Sequence, residues 1–367
     1  MRQIASIELH ALAIELQQLV GARVDKFYDL GGDAFKISLR SKGSARFLYV
    51  ALLRTINITS FSEEAGAPTS FAMAMRKRLS GATISSISQH GSDRIMTIEF
   101  AGAERYSLII EMFGKGNMIL LDSSGTIRIC YKVANMRDRS IRTGVKYSFP
   151  EGMPFDLWSI DYASAEEKVK EALSASGNAV QALSKYFGIG PAYLEEAIYR
   201  AGFAPKGAIP ISESGRVASS IIEIISASLS PEPVAYLRGG VFVDYSITRL
   251  KKYENYETVA YKSVSELLDN FYLSERSTVN SAANAEKEAT VQSIRKQEES
   301  LAALEKEAEE YYNIGNAILS NMNAINEVII YVREHKHAEL KELQEKFPGL
   351  KIKSLDKAKK ELVIEVG

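Results

Sequence analysis

The chain has 367 residues, with 45 Lys and Arg against 46 Asp and Glu, and is 46% apolar and 25% charged. That length allows about two or three domains, and that composition excludes an intrinsically disordered chain. A net charge of -1 advertises no general affinity for polyanions, so any nucleic-acid surface has to be a local cluster within a neutral total.

Cys130 is the only cysteine, which excludes an intramolecular disulfide, and four histidines leave little material for a zinc site. No apolar run approaches the roughly 20 residues that span a membrane, and Met1 to Glu8 contain no signal-peptide h-region. These features predict a reducing, cytoplasmic protein with no membrane partner.

Leu9, Leu12, Leu16 and Leu19 mark a first helix, with Ser6 as N-cap and Gly21 as its stop. Three strands follow, Arg23 to Asp29, Ala34 to Arg40 and Arg46 to Leu53. A second helix runs from Pro68 to Leu79, capped by Ser70 and ending in Arg76-Lys77-Arg78, where cations suit the helix dipole. A second set of strands covers Ile84 to Ser88, Arg94 to Phe100, Arg105 to Met112, Asn117 to Asp122 and Thr126 to Val133. The order helix, strands, helix, strands predicts one α+β domain of two similar halves rather than a doubly wound sheet.

Residues 161 to 229 read as helical and contain a tight Gly188-Ile189-Gly190 turn before Pro191, a first-turn proline. Strands return at Val234 to Leu237, Val241 to Asp244 and Tyr253 to Tyr261. From Leu301 to Ile329 apolar residues alternate at spacings of three and four, a heptad seam that calls for a partner strand. Residues 281 to 310 carry eight Glu against four Lys and Arg, a solvated face. Phe347-Pro348-Gly349 breaks the helix, and an amphipathic end from Lys351 to Val366 has no closing element. The expectation is a fragment of a longer protein, or self-association with a second copy through the coiled coil.

No P-loop, dinucleotide fingerprint, nucleophile elbow or HExxH motif occurs, and no catalytic triad assembles. Neither an enzyme nor a bound cofactor or metal is expected. His335 and His337 sit two apart, on different faces of a helix. Between Arg128 and Lys146 six cations face one acid, and Arg is suited to bidentate phosphate contact. The unpaired amides of a tight turn at Gly188 and Gly190 also suit a phosphate oxygen.

Five segments together carry a family resemblance. They are Ser6-Ile7-Glu8-Leu9; Ser70-Phe71-Ala72-Met73-Ala74-Met75-Arg76-Lys77; Asp93-Arg94-Ile95; Ile110-Glu111-Met112-Phe113-Gly114-Lys115-Gly116-Asn117-Met118-Ile119-Leu120; and Arg137-Asp138-Arg139 through Pro150. The chain resembles the NFACT family, the ribosome-quality-control group with bacterial RqcH and eukaryotic NEMF members, some of which carry the older name fibronectin-binding protein. The resemblance implies a two-lobed N-terminal domain (1–160) similar to the formamidopyrimidine-DNA glycosylase N-terminal fold. It also implies a helix-hairpin-helix module (161–230), returning strands (231–275), a first coiled-coil arm (276–346) and a truncated tip (347–367).

The glycosylases use an N-terminal proline amine and a neighbouring glutamate. Met1, Arg2 and Gln3 supply neither, so the resemblance implies no glycosylase activity. It implies a factor that binds the obstructed large ribosomal subunit with its stalled peptidyl-tRNA nascent chain. There it recruits tRNA, alanyl-tRNA above all, for untemplated tailing by the ribosome's own peptidyl-transferase centre. The implied tRNA-binding residues are Asp93, Arg94 and Glu8, the last standing where relatives carry Asp, with Arg137, Arg139 and Arg142 as phosphate contacts. Competing readings are a surface fibronectin-binding adhesin and a DNA-binding protein of glycosylase-like fold.

Overall fold

A computed structural model describes the chain apart from residues 1, 42, 61–65, 137–138, 152–154, 175–177 and 366–367, and gives backbone only for 273–289 and 291. It divides into two compact units, Met1–Ser277 and Thr278–Gly367. Among the described residues no helix is long and apolar enough to cross a membrane.

The first unit begins with α1 (Ser6–Glu15), followed by β1 (Arg23–Gly31), β2 (Ala34–Ser41), β3 (Ser44–Ala51) and β4 (Thr55–Thr59). Helix α2 (Ser70–Leu79) comes next, then β5 (Thr83–Gln89), β6 (Ile95–Ala101), β7 (Tyr106–Glu111), β8 (Asn117–Asp122) and β9 (Ile127–Cys130). The strands form one antiparallel nine-stranded sheet in the order β4-β3-β2-β1-β5-β6-β7-β8-β9. Its two halves meet at β1 and β5 through the single pair Arg23 and Thr83. Strand β4 has no counterpart in the sequence reading, which carried β3 on to Leu53; the turn after Ala51 places Leu53 at φ 71°, left-handed for a leucine.

The caps differ from expectation by one residue. Ala5 rather than Ser6 is the N-cap of α1, and the side chain of Glu8 accepts the Ala5 amide at 2.8 Å. Thr69 rather than Ser70 caps α2, accepting from the Ala72 amide and donating to Asp29 Oδ2 at 2.8 Å.

Two short strands, β10 (Ala134–Asn135) and β11 (Ser140–Ile141), lead to the helices α3 (Tyr162–Ser174), α4 (Ala179–Ser184), α5 (Pro191–Arg200) and α6 (Ser214–Ser226). Strands β12 (Val234–Arg238), β13 (Val241–Ser246) and β14 (Glu257–Ala260) follow. They form their own three-stranded sheet, β13-β12-β14, and do not rejoin the nine-stranded one. The Tyr-rich stretch from Tyr253 is strand only over its last part, because Tyr253 stacks on Tyr236 at 4.4 Å instead of extending. The sheets and helices nevertheless share one hydrophobic core, running from Ile4 and Leu9 through Phe187 and Tyr193 to Tyr236 and Phe271.

Helix α7 (Val264–Ser320) is anchored where its first amides meet Glu15, at 2.9 Å from Val264, and where Asp269 accepts from Asn57 at 2.8 Å. In the second unit the expected continuous seam is interrupted. The Ala317 carbonyl accepts from Ser320 Oγ and Asn321 Nδ2, and these side-chain bonds compete with the helical ladder before α8 (Met322–Glu334). Beyond that break, α8, α9 (Leu340–Lys346) and the hairpin of β15 (Lys351–Asp356) and β16 (Glu361–Glu365) enclose a small core of Val328, Ala338, Leu343, Leu350 and Ile352. The amphipathic end is this hairpin. Leu301, Leu304, Tyr311, Ile318 and Met322 of the seam are exposed.

The Gly114-Lys115-Gly116 turn shows why that segment is glycine-rich. Gly116 has φ 64°, and a Cβ there would lie 2.8 Å from Leu52 Cβ. Gly125 has φ 75° with open space around it. Gly125→Ala is therefore expected to cost about 1–2 kcal/mol of stability for the left-handed backbone alone. Gly116→Ala adds overpacking of about 1–3 kcal/mol, so denaturant unfolding should separate the two variants.

Candidate nucleic-acid interface

The turn from His90 to Arg94 joins β5 to β6, and each of its carbonyls is held by a different donor. Asp93 N donates to His90 O at 3.0 Å, and Trp158 Nε1 donates to Gly91 O at 2.8 Å. Ser6 Oγ donates to Ser92 O, Gln89 Nε2 to Asp93 O at 2.8 Å, and Met112 N to Arg94 O at 2.7 Å. Gly91, at φ 50°, allows the turn to close. A loop with no carbonyl left to water is rigid, and it presents its side chains in fixed positions.

Those side chains are Asp93 and Arg94, both half-buried. No ion pair joins them among the described residues. Arg94 reaches the chain's N-terminal segment instead, donating to Gln3 Oε1 at 2.9 Å and to the Ile4 carbonyl at 3.4 Å. The Asp93 carboxylate has no hydrogen-bond partner among the described residues. Burial pushes its pKa up from 3.8 while the neighbouring His90 pulls it down, and burial also lowers the Arg94 guanidinium. Two charges are thus held in a partly desolvated place without neutralising each other, an arrangement that costs stability and suits a site.

The turn is collared by aromatic rings that the sequence reading did not single out. His90 stacks on Phe149 at 3.7 Å, and His10 stacks on Trp158 at 3.8 Å. Burial holds the His10 pKa below its usual value, against a hydrogen bond from His10 Nδ1 to Gln89 Oε1 at 3.2 Å that favours the charged ring. Flat, partly exposed rings beside an acceptor and a guanidinium form a surface on which unpaired bases can stack and be read at their edges. The four rings come from segments up to 148 positions apart, so no local pattern announces them.

The other expected contacts are placed differently. Glu8 is fully buried, and its oxygens are engaged inside the fold by Arg2, by the Ala5 amide and by Tyr193 OH at 2.8 Å. Arg139 is also buried, its guanidinium bound to both oxygens of Glu111 at 2.6 and 3.3 Å, with Tyr147 OH on the same carboxylate at 2.9 Å. Its guanidinium is thus engaged inside the fold rather than exposed as the expected phosphate contact. Arg128 pairs with Asp122 at 2.8 Å and Lys132 with Asp33 at 2.7 Å. Three cations of the 128–146 stretch are therefore paired with acids that lie outside it. Arg142 and Lys146 stay exposed with no ion pair among the described residues, and Arg137 lies outside those residues.

At the Gly188-Ile189-Gly190 turn none of the three amides donates to an acceptor among the described residues. Gly190, at φ 108°, packs so closely on α1 that a Cβ would stand 3.0 Å from Ala5 Cβ. Gly190 therefore serves as a packing point.

The fused antiparallel sheet thus carries a rigid, charged, ring-collared turn at its β5–β6 junction. Residues 5–360 match the model of the NFACT N-terminal and middle domains, and the chain belongs to this family. It is similar to the archaeal Rqc2 homolog aRqcH of Methanocaldococcus jannaschii, with 27% identity covering 98% of this chain and 55% of that protein. It is similar to the Rqc2 homolog RqcH of Bacillus subtilis, with 25% identity over 83% of this chain and 56% of that one. It is also similar to the human ribosome quality control complex subunit NEMF, with 27% identity over 61% of this chain and 21% of the relative. The chain thus spans about half the length of its prokaryotic relatives. The fold matches that of a fibrinogen binding protein from Staphylococcus aureus, with a TM-score of 0.61, 24% identity, and coverage of 73% of this chain and 98% of the other.

Two measurements test these placements. Because the folded Asp93 pKa is raised, folding is favoured by its protonation, and that contribution fades as pH rises through the folded value. Asp93→Asn is therefore expected to melt slightly above the parent at pH 7, with the gap closing as pH falls toward 3.8. Arg139→Ala strands the buried Glu111 carboxylate and should cost about 3–5 kcal/mol in chemical denaturation. Arg142→Ala should leave stability within about 0.5 kcal/mol of the parent.

Proposed function

We propose that this protein is the RNA-engaging front part of a ribosome quality-control factor. It binds the large ribosomal subunit obstructed by a stalled peptidyl-tRNA and recruits a further tRNA to it. The recruited tRNA, alanyl-tRNA in the reading that family resemblance supports, feeds untemplated extension of the stalled chain. Bond formation belongs to the ribosome's peptidyl-transferase centre, and this protein is no enzyme. The names of its relatives support the quality-control role. The observation that carries tRNA engagement is the clamped His90–Arg94 turn, with an unpaired carboxylate and an arginine set among stacked rings.

In this reading the rings stack on unpaired bases of an RNA loop, Asp93 accepts from base amino or ribose hydroxyl groups, and Arg94 contacts a phosphate or base edge. Arg142 and Lys146 supply further backbone charge. The open amides near Gly188 fit the phosphate contact of a helix-hairpin-helix module, and the exposed seam of α7 fits one arm of a coiled coil awaiting its partner strand.

The test compares the parent with Asp93→Ala/Arg94→Ala, using labelled tRNA and purified large subunits carrying peptidyl-tRNA. The variant is expected to keep its melting temperature within a few degrees and to lose roughly tenfold or more in tRNA affinity, equivalent to about 1.4 kcal/mol. Unchanged tRNA affinity and unchanged recruitment to the obstructed subunit would remove the turn from the function.

A further inference from the structure

The end of β6 away from the Asp93–Arg94 turn opens on a second cationic feature. The α2 C-terminus, the β1 start and the β6–β7 turn enclose a groove of about 700 Å³. Its charged lining is Arg23, Lys77, Arg78 and Arg128 against one acid, Glu104. Glu104 is engaged by Tyr106 OH, and Arg128 is shared with Asp122. Arg23 Nε donates to Gly81 O at 3.1 Å and Arg78 to Ala74 O at 3.4 Å, single bonds that leave most of each guanidinium's donors facing outward. Lys77 is exposed and has no partner among the described residues.

The neighbouring Arg76 shows what a structural cation looks like here, bonded to Phe27 O at 2.7 Å and lying over the Tyr28 ring. Arg23, Lys77 and Arg78 lack that degree of internal use, and Arg128, paired through Nε, keeps its terminal nitrogens beside them. Helix dipole compensation accounts for one or two cations at the end of α2, but not for Arg23 and Arg128, which arrive from strands of both halves of the sheet. Three arginines around an open cleft match the bidentate geometry of phosphate oxygens.

We propose that this groove holds the sugar-phosphate backbone of a structured RNA whose unpaired part occupies the Asp93–Arg94 turn. This inference rests on the RNA reading of that turn. Seven residues of β6 separate the two places, about 23 Å at the strand rise of roughly 3.3 Å per residue. A folded RNA bridges that distance, so the groove sets orientation while the turn reads bases. An acidic peptide would match the groove's charge but has no use for the stacked rings at the other end of the strand.

The experiment measures binding of a labelled full-length tRNA, and of a short stem-loop too small to reach both places, over a range of salt. The proteins are the full chain, Lys77→Gln/Arg78→Gln and Asp93→Ala/Arg94→Ala, with melting curves to verify folding and Lys77→Glu alone as a surface variant that keeps Arg78. For the groove variants, tRNA affinity should fall about tenfold or more. The slope of log affinity against log salt should become shallower by about one unit in Lys77→Glu and about two in the double variant. Short stem-loop binding should stay at parental strength in the groove variants and fall in the turn variant.

Parental tRNA affinity and salt slope in both groove variants, with the turn variant still impaired, would overturn the groove alone. Absence of salt-dependent RNA binding by the parent would overturn the groove and the reading of the turn together. Capture of polyglutamate through Lys77 and Arg78, with tRNA binding unaffected by their loss, would reassign the groove to an acidic protein partner and equally overturn the proposal.

Discussion

The rest of the molecule depends on one buried carboxylate. Glu8 sits at the third position of α1 with no solvent access, where an unpaired charge would be costly. Arg2, the Ala5 amide and Tyr193 OH all converge on it. Each partner ties in another element: Arg2 also binds Asp244 at 2.7 Å and lies over the Tyr245 ring on β13, while Tyr193 belongs to α5 and accepts the Ile247 amide at 3.1 Å. The Tyr193 hydroxyl lies between Glu8 and the Ile247 amide, the Tyr245 ring lies under Arg2, and burial pushes both tyrosines well above their usual pKa. The N-terminal segment is therefore fixed from three sides. The same segment supplies Gln3, Ile4 and Ser6 to the Asp93–Arg94 turn. Site geometry and domain packing thus share the same buried cluster.

Most of the nine-stranded sheet was legible because its apolar strand segments are separated by clear turn signals, although β4 was not. Register and closure follow from period-two patterning. The alternation of helix and strands also marked the two-lobed plan. What sequence periodicity does not contain is which strands stay with which sheet. Val234 to Ala260 reads as sheet from its residues, but its assignment to a separate sheet comes from tertiary packing of Tyr236, Tyr253 and Tyr245. The break at Asn321 was hidden for a similar reason. A heptad count weighs apolar spacing and ignores two side chains that seek the same carbonyl.

For the site, the Asp-Arg pair was legible only through family resemblance, since two adjacent charges after a glycine are commonplace. The residues that make it a site, His10, His90, Phe149 and Trp158, come together only on folding. The basic stretch was misleading in the opposite sense. Local charge counting treats Arg128, Lys132 and Arg139 as free, but Asp122, Asp33 and Glu111 neutralise them across the fold. The Glu111-to-Leu120 motif, so useful for recognising the family, is largely architectural. Glu111 anchors Arg139, Gly116 fits beneath Leu52, and Asn117 bonds Lys132 at both its backbone N and O, at 2.9 and 2.8 Å.

Trp158 gives this architecture an optical property. It is the single tryptophan of the chain, its indole N–H holds the Gly91 carbonyl, and its ring lies flat on His10. Ultraviolet excitation selective for tryptophan therefore interrogates one place in 367 residues, the side of the turn facing the proposed RNA. Emission intensity and colour depend on that indole's stacking and hydration. The native chain carries its own fluorophore at the point of interest, and unlabelled RNA can be followed there without adding a dye or altering a residue.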